Sequence, residues 1–416
     1  MKVQVFSEIG KLEGVILHKP GREIENMTPK NAERALYSDI LNLSIASYEY
    51  QQLYDVLSKF TKTFEMDNLL IETLKNEKVK RDLVYKICVN ENAYPIYHEL
   101  LAMNEKQLAC ALIEGVEMQK DNLTKFLSED RYSLQPLHNF FYMRDASVSM
   151  HNQVLICRMA NVVRDREALI METIFMHNPN FSHKVINPTA FKDFDPDITM
   201  EGGDILIARE DVLVIGLSQR TNSKSIDFLI ERFKEKKTLM NIVIQELPHS
   251  PESFIHLDMV FTFLDVNACM AYEPIVMKHS KYQAVHIRID NGKVDFIRRR
   301  DTLFEVFKDL KFDLNPIMCG GTDDSWIQQR EQWHSGANFF AMAPGKVIGY
   351  GRNINTIEAL NKNGFEVLTA SEIASGKTDM KHYERFVVTI EGSELSRGGG
   401  GARCMTMPVR REKVNW

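Results

Sequence analysis

Short apolar segments that occur in pairs, with one helix after the pair, most constrain how this chain can fold. After about Asn139, "DILIA" and "DVLVIGLS" have the length and composition of two successive strands. The segment "NSKSIDFLIERFKEKKT" that follows them has the three- and four-residue apolar spacing of a helix. Single strands alternating with single helices would indicate βαβ units, whereas paired strands indicate a repeated ββαβ unit. The pattern therefore predicts an α/β fold built from such a unit.

The chain before this region is mostly helical in its pattern. Residues 71–127 carry apolar residues at helical spacing, and residues 29–64 do so too, with Thr28 as N-cap and Pro29 at the first helical position. The opening "MKVQVFSEIGKLEGVILHKPG" instead alternates apolar and polar residues as a strand does. The other predicted strands are "QVLICRM", "NIVIQEL", "MVFTFLD", "ACMAYEP", "FFAMAPGKVIGY", "FEVLTA" and "RFVVTIE", and the other predicted helices are "DTLFEVFKDLK" and "TIEALNKNG".

Composition narrows the class of protein. The 416 residues are 44% hydrophobic, enough for a sizeable core, and 26% charged with a net charge of -6, which argues against a nucleic-acid partner. No apolar run approaches the ~18 residues of a membrane span, and no signal-peptide core opens the sequence. Six widely spaced cysteines without a CxxC pair indicate reduced thiols. We therefore expect a soluble, cytoplasmic protein with no membrane partner.

The segment "SRGGGGARCMTMP" joins four glycines to Cys404. Three interpretations are open: a phosphate-binding loop, a slack linker, or a mobile loop that carries a nucleophile. A phosphate loop needs a helix after the glycines, and none is predicted here. A linker would be polar, whereas Met405 and Met407 follow the cysteine. The third interpretation is favoured, because Arg397 and Arg403 also supply positive charge near the thiol.

Three further segments carry candidate partners for this thiol. In "FIHLDMVFTFLD", read as a strand, His256 and Asp258 would point to the same face. "TMEGGDILIA" places Glu201 before a Gly-Gly pair that allows a sharp turn or a close approach, and "NFFYMRDASVSM" contains Asp145. Each has a plain structural alternative: a core histidine, an ordinary turn and a buried ion pair. Cys319 in "MCGGTDD" is a second candidate nucleophile, although its glycines suggest a turn.

Taken together, these residue types fit one chemistry. Carboxylates accept the paired N–H donors of a planar guanidinium, and a thiolate nearby can attack its central carbon. A histidine can then protonate the departing amine and activate water. This chemistry needs neither a metal ion nor an organic cofactor.

The chain resembles the arginine deiminases, within the guanidino-group-modifying superfamily, nearly from end to end. The matching segments are "VFSEIGKLEGVILHKPGREIENMTP", "MEGGDILI", "IGLSQRTN", "HLDMVFTFLD", "REQWHSGANFFAMAPGKVIGYGRN" and "ARCMTMP". The resemblance implies a five-bladed, pseudo-symmetric α/β propeller of ββαβ modules with an inserted helical domain. Residues 1–70 and 131–416 would form the catalytic domain, and residues 71–130 the insertion.

The resemblance also implies hydrolysis of L-arginine to L-citrulline and ammonia by a cytoplasmic homo-oligomer. The implied catalytic residues are the nucleophile Cys404, the general acid and base His256, and the guanidinium-binding carboxylates Glu201, Asp145 and Asp258. The implied contacts to the amino-acid end of the substrate are Asn139, Arg164, Arg220 and the carbonyl of Leu36, with Arg397 and Gly399 in the closing loop.

One departure from the family pattern concerns that loop. The family usually reads "RGRGGxRC", and Gly399 stands here in place of the second arginine. Three alternative functions stay open: an amidinotransferase, a deiminase of another guanidino compound, and an arginine-binding protein without turnover.

The charges of this set predict how the thiol ionises. Several carboxylates beside Cys404 favour a neutral thiol in the empty pocket, and an arriving guanidinium favours the thiolate. We therefore expect thiolate formation to depend on the substrate.

Overall fold

Strands and helices alternate along most of the chain in the computed structural model, which describes residues 1–32, 34, 36–37, 39–192 and 194–416. The strands are β1 (Leu12–Leu17), β2 (Lys62–Glu65), β3 (Val116–Glu117), β4 (Tyr132–Leu134), β5 (Ser147–Met150), β6 (Gln153–Ile156), β7 (Lys184–Ile186), β8 (Ile205–Arg209), β9 (Val212–Leu217), β10 (Met240–Glu246), β11 (Phe261–Asp265), β12 (Ala268–Ala271), β13 (Ala284–Asp290), β14 (Lys293–Arg300), β15 (Asn315–Met318), β16 (Phe340–Ala343), β17 (Lys346–Tyr350), β18 (Glu366–Thr369), β19 (Phe386–Ile390) and β20 (Met407–Arg411). The helices are α1 (Arg22–Glu25), α2 (Pro29–Ala32), α3 (Leu43–Phe60), α4 (Met66–Leu74), α5 (Glu77–Asn90), α6 (Tyr97–Ala102), α7 (Glu105–Glu114), α8 (Leu123–Leu127), α9 (Asp165–His177), α10 (Ser223–Lys236), α11 (Glu273–Val276), α12 (Leu303–Asp309), α13 (Ser325–Trp333), α14 (Ile354–Lys362) and α15 (Ala370–Ala374).

The sheets of this mixed α/β fold repeat one pairing scheme. A central strand pairs antiparallel with one neighbour and parallel with another: β6 does so with β5 and β7, β9 with β8 and β10, β12 with β11 and β15, β17 with β16 and β19, and β1 with β20 and β2. Parallel neighbours need a crossover, and helices such as α9 and α10 supply it. The local pattern of paired strands before one helix thus predicts the observed strand order.

Helices α4 to α7, between residues 66 and 114, share a hydrophobic core with neighbouring sheets, whereas α8 has no buried residue. Leu69, Leu83 and Leu108 from α4, α5 and α7 belong to one buried cluster with Ile170 of α9 and Val154 of β6. Every one of these side chains is at most 4% exposed. The helical segment is therefore packed onto the β5–β6–β7 sheet. No helix among the described residues has the length and hydropathy needed to cross a membrane.

The predicted strands and helices listed for residues 139–416 are present, with boundaries shifted by a few residues. Between residues 29 and 64 the structure has α2, α3 and the short strand β2. The helical prediction is therefore wrong at its last residues, and residues 33, 35 and 38 lie outside the described part.

The hairpin β13–β14 was not predicted, because β14 is largely exposed and ends in three arginines. Helix α9 was also missed, since it is buried on several faces and has no clear apolar stripe.

The β1–β20 pair joins the two ends of the described chain. The two strands are antiparallel, with Leu12 opposite Arg411, Val15 opposite Pro408 and Ile16 opposite Met407. The turn that precedes β20 contains Cys404. Folding therefore anchors the candidate nucleophile on the first strand of the chain.

Candidate active site

Candidate residues occupy the same position in successive repeats of the pairing scheme. Asp145 lies in the turn before β5, Glu201 before β8, His256 and Asp258 before β11, and Cys404 before β20. Each of these strands is the antiparallel partner of the central strand in its sheet. The repeated unit therefore brings together side chains that are far apart in sequence.

The turn before β16 contributes Asn338, a residue that the sequence analysis did not identify. Its side-chain N–H groups donate to Cys404 Sγ (3.2 Å) and to the Asp258 carbonyl (3.2 Å), and its Oδ1 accepts from the Arg403 backbone N–H (2.9 Å). Asn338 is 1% exposed, so these bonds have little competition from water. Its position directly before a strand of the repeated unit was the available signal.

The prediction that His256 and Asp258 share a strand is wrong. His256 is extended, and a 3₁₀ turn, Leu257–Met259, follows it and contains Asp258. The Leu257 N–H donates to Asp204 Oδ1 (2.9 Å), which holds this turn against the Gly-Gly segment. Tertiary contacts, rather than strand alternation, therefore orient the two side chains.

His256 and Glu201 form a buried pair. His256 Nε2 donates to Glu201 Oε2 (2.9 Å), while His256 Nδ1 lies 3.8 Å from Asp145 Oδ1. Burial lowers the pKa of His256, but Asp145, Glu201 and Asp204 outweigh it and raise the pKa to about 9. Burial likewise raises the pKa of Glu201, yet its bond to His256 and the nearby Arg220 and Arg164 lower it overall. The imidazole is therefore charged at neutral pH and ready to act as an acid.

The close packing of this pair explains the two glycines that follow Glu201. A Cβ on Gly203 would overlap the His256 ring, and a Cβ on Gly202 would overlap the Arg144 carbonyl. The prediction that these glycines allow a close approach is confirmed.

Cys404 is a buried thiol, 4% exposed. Its Sγ lies 3.7 Å from Asp258 Oδ2. Burial and the charges of Asp258 and Asp145 raise its pKa well above the usual value, although the Gly401 N–H and Arg403 oppose them. The thiol is therefore neutral in the free protein.

Two arginines reach the site carboxylates. Arg164 Nη1 donates to Asp145 Oδ2 (2.8 Å), and its other nitrogens donate to Glu167. Arg220 Nη1 lies 3.8 Å from Glu201 Oε1. Both cations therefore lie where they can stabilise the carboxylates or meet an anionic group of a ligand.

Most of the candidate residues line a cavity of about 30 Å³. Asp258 is not among its lining residues and lies behind Cys404, with its Oδ2 3.7 Å from the Sγ atom. The walls of the cavity comprise Leu36, Asn139, Tyr142, Asp145, Arg164, Glu201, Arg220, Ile255, His256, Gly398, Gly399, Gly400 and Cys404. An adjoining cavity of about 240 Å³ shares Leu36, Arg220, Ile255, Gly398 and Gly399 with it and opens toward Trp333. Tyr142 and Ile255 are wall residues that the sequence analysis missed, since buried aromatic and aliphatic residues resemble ordinary core.

The closing-loop residues differ in position. Arg397 lines the outer cavity only, where its Nε donates to Asp39 (3.0 Å) and its Nη1 to Glu394 (3.1 Å). Gly399 lines both cavities with a φ of 83°, and a Cβ there would meet nothing within 4 Å. Gly399 thus leaves space between the two cavities.

Two alternatives concern this site: a bound metal ion and Cys319 as a second candidate nucleophile. Asp145, Glu201 and His256 present ligand atoms within 4.8 Å of one another, a set able to hold a metal ion. Arg164 Nη1, only 2.8 Å from Asp145, already supplies positive charge there. Cys319 is buried beside Thr356 and Glu331 and is not among the lining residues of this cavity, so the structure does not bring it together with the other candidate residues.

Comparison with solved structures identifies the fold. The chain aligns over 96% of its length with a dimethylarginine dimethylaminohydrolase from Pseudomonas aeruginosa bound to citrulline, at 14% identity and a TM-score of 0.51, covering 99% of that chain. It aligns over its full length with an amidinotransferase from Microseira wollei, at 14% identity and a TM-score of 0.52, covering 98% of that chain. The chain therefore shares its fold with these two proteins, and it places a thiol, an imidazole and carboxylates at one cavity.

Sequence comparison then gives the family. The arginine deiminase family model matches residues 33–411. The arginine deiminase of Listeria monocytogenes serotype 4a is 31% identical over 431 aligned residues, covering 99% of this chain and 98% of that protein. The arginine deiminase of Borrelia recurrentis is 32% identical with the same coverage. The chain belongs to the arginine deiminase family, a family of hydrolases that act on carbon–nitrogen bonds.

Proposed function

We propose that this protein hydrolyses L-arginine to L-citrulline and ammonia. The observation that carries the proposal is a buried thiol facing a charged imidazole and two carboxylates with unused acceptors. Asp145 Oδ1 and Asp258 Oδ1 are buried and have no hydrogen-bond partner among the described residues. An unsatisfied buried acceptor is unfavourable, and a guanidinium supplies N–H donors in the geometry that carboxylates accept.

The reaction proceeds in two halves. The substrate guanidinium binds Asp145 and Asp258, and its positive charge favours ionisation of Cys404, whose proton passes to solvent. The thiolate attacks the central carbon and forms a C–S bond. His256 donates its proton to the departing nitrogen as the C–N bond breaks, releasing ammonia. His256 then takes a proton from water, and the hydroxide adds to the same carbon. The C–S bond breaks and the hydroxyl proton passes to the departing sulfur, giving citrulline and the neutral Cys404 thiol.

The amino-acid end of the substrate is held by the residues at the cavity mouth. We assign Arg164 and Arg220 to the α-carboxylate, and Asn139 with the Leu36 carbonyl to the α-amino group. Leu36 has a φ of 66°, a conformation rarely adopted by residues with a side chain and often associated with functional sites. Arginine is larger than the 30 Å³ cavity, so we expect residues 396–400 to move when it binds.

Domain organisation, assembly and location complete the proposal. We infer that the five three-strand pairings close into a pseudo-symmetric propeller, with residues 71–130 as a helical insertion between catalytic segments 1–70 and 131–416. The repeated pairing scheme supports this closure. We further propose a cytoplasmic homo-oligomer that uses neither metal nor organic cofactor.

Product identification tests the function. The wild-type protein is incubated with L-arginine, with agmatine, and with L-arginine plus glycine, each with and without a metal chelator. We expect citrulline from arginine in every arginine mixture, unaffected by chelator, and no citrulline with Cys404→Ala. Guanidinoacetate from the glycine mixture would indicate an amidinotransferase, and turnover of agmatine alone a different deiminase. No product from any mixture would indicate a binding protein.

A further inference from the structure

A cluster of buried charged side chains lies next to Cys404, and most of its members have no part in the proposed reaction. Glu8, Arg144, Arg403 and Arg411 are each at most 6% exposed, and Asp258 is completely buried. Glu8 belongs to the segment "VFSEIG" that precedes β1. Only Asp258 has a role in the mechanism above, so the remaining four charges need an explanation.

Glu8 forms a salt bridge with Arg403 through two hydrogen bonds. Arg403 Nε donates to Glu8 Oε2 (3.0 Å), and Arg403 Nη2 donates to Glu8 Oε1 (3.1 Å) and to the Ile205 carbonyl (2.8 Å). This two-point pairing fixes the plane of the guanidinium. The remaining nitrogen, Nη1, then donates to Asp258 Oδ2 (2.8 Å). Glu8 thereby sets the direction from which Arg403 meets a carboxylate of the site.

Arg403 also adjoins the nucleophile in the chain. Its backbone N–H donates to Asn338 Oδ1 (2.9 Å), and the Cys404 carbonyl accepts from the Arg144 backbone N–H (3.0 Å). The charge of Arg403 acts on both Cys404 and Asp258, because Asp258 Oδ2 lies 2.8 Å from Arg403 Nη1 and 3.7 Å from Cys404 Sγ. Any change in the charges that compensate Arg403 must therefore affect the ionisation of the Cys404 thiol.

The balance of charge in this cluster depends on Glu8. Three guanidinium groups, Arg144, Arg403 and Arg411, interact with Glu8, whose pKa falls to about 2 because these cations outweigh its burial. Arg144 Nη2 and Arg411 Nη2 have no hydrogen-bond partner among the described residues, so the cluster is already short of negative acceptors. Without Glu8, Asp258 would be the carboxylate left to face Arg403.

We propose that Glu8 is a positioning residue: its charge offsets Arg403, so that Asp258 stays available for the substrate guanidinium and Cys404 stays a neutral thiol until the substrate arrives. The role of Asp258 in this statement rests on the proposed function. The state of the thiol does not, because it follows from the charges around Cys404 alone. Among the described residues, the titratable and charged groups that interact with Cys404 or line the same cavity are Asp145, Asp258, His256, Glu201, Arg164, Arg220, Arg403, Tyr142 and Tyr350.

The test replaces Glu8 by the isosteric glutamine and measures two quantities. The first is the rate of Cys404 carbamidomethylation by iodoacetamide between pH 6 and pH 10 without substrate, followed by mass spectrometry of the Cys404 peptide. The second is kcat and KM for arginine. We expect Glu8→Gln to move the midpoint of alkylation down by about one pH unit, as for an uncompensated nearby cation. We also expect kcat/KM to fall about tenfold, mainly through a higher KM.

Two variants separate charge from packing. Glu8→Asp keeps the charge, so its alkylation midpoint should match wild type even though its geometry is changed. Glu412→Gln removes an exposed carboxylate that pairs with Lys11 (3.0 Å), and both quantities should stay unchanged.

Several outcomes would overturn the inference. If folded Glu8→Gln is alkylated with the same pH profile as the wild type, Glu8 has only a structural role, whatever the activity of the variant. If Glu8→Gln does not fold, Glu8→Asp decides: an unchanged midpoint together with a raised KM supports the inference, and a shifted midpoint or wild-type kinetics contradicts it. A wild-type protein that does not convert arginine would contradict the proposed function, and the alkylation profiles would still judge the role of Glu8.

Discussion

At the scale of single residues, the site pairs two groups with opposite tendencies to ionise. The carboxylates of Asp145, Glu201 and Asp204 keep His256 protonated. Burial, together with Asp258 and Asp145, keeps Cys404 neutral. A cationic ligand reverses the second effect, because it cancels the negative potential of Asp145 and Asp258. Under the proposed mechanism, the chemistry therefore starts only when the guanidinium is in place, and the free thiol is protected from other electrophiles.

This arrangement predicts a pH-dependent reactivity for Cys404. In the free protein, iodoacetamide should modify Cys404 slowly near pH 7 and faster only as the pH rises above the usual range for thiols, since burial and two carboxylates raise its pKa. Mass spectrometry of the Cys404 peptide measures the rate, and the same peptide in urea-unfolded protein serves as the control. A fully ionised thiolate near neutral pH without ligand would contradict the prediction.

At the scale of elements, turns rather than strands carry the candidate site residues. The strands that follow these turns are buried, so the turn backbone is fixed at that end, and side chains from different sheets meet with little freedom. The closing loop is held differently: the buried carboxylate of Glu49 accepts from the backbone N–H groups of Ser393, Glu394 and Leu395. The loop thus has a rigid base at 393–395 and glycine freedom at 398–401.

Gly399 is the position in this loop where a substitution should alter substrate binding. We expect Gly399→Arg to lower KM for arginine, because a guanidinium would enter open space between the two cavities and meet the substrate carboxylate. The φ of 83° adds roughly 1 kcal/mol of strain for any side chain, so Gly399→Ala is the matched control. Steady-state kinetics of both variants give the answer. An unchanged or higher KM in Gly399→Arg than in wild type would show that the loop binds by another route.

At the scale of the whole molecule, the pairing of β1 with β20 holds the site together. It places Glu8, just before β1, against Arg403, just before β20, although 395 positions separate them. The β20 ladder also fixes the turn that carries Cys404.

Two truncations test this dependence on closure. Removing residues 413–416 deletes the exposed Lys413–Glu210 pair and the Trp416 contact with Phe312, so kcat/KM should change by no more than about twofold. Removing residues 407–416 deletes β20 and should abolish citrulline formation. Circular dichroism of both proteins shows whether the rest of the chain folds. Activity in the longer truncation would contradict the dependence on β20.

By itself, the sequence determined the strands, the helices and the chemical types at the site. Apolar spacing is local, so "DVLVIGLS" and "NSKSIDFLIERFKEKKT" predict β9 and α10 without any knowledge of their neighbours. The resemblance to a family supplied the candidate roles of Cys404, His256 and Glu201. Tertiary structure decided the rest: the 3₁₀ turn that replaces a strand at Asp258, the contact of Asn338 with the thiol, and the pairing of Glu8 with Arg403. These features depend on burial and on charges brought together from distant parts of the chain, and no local pattern contains that information.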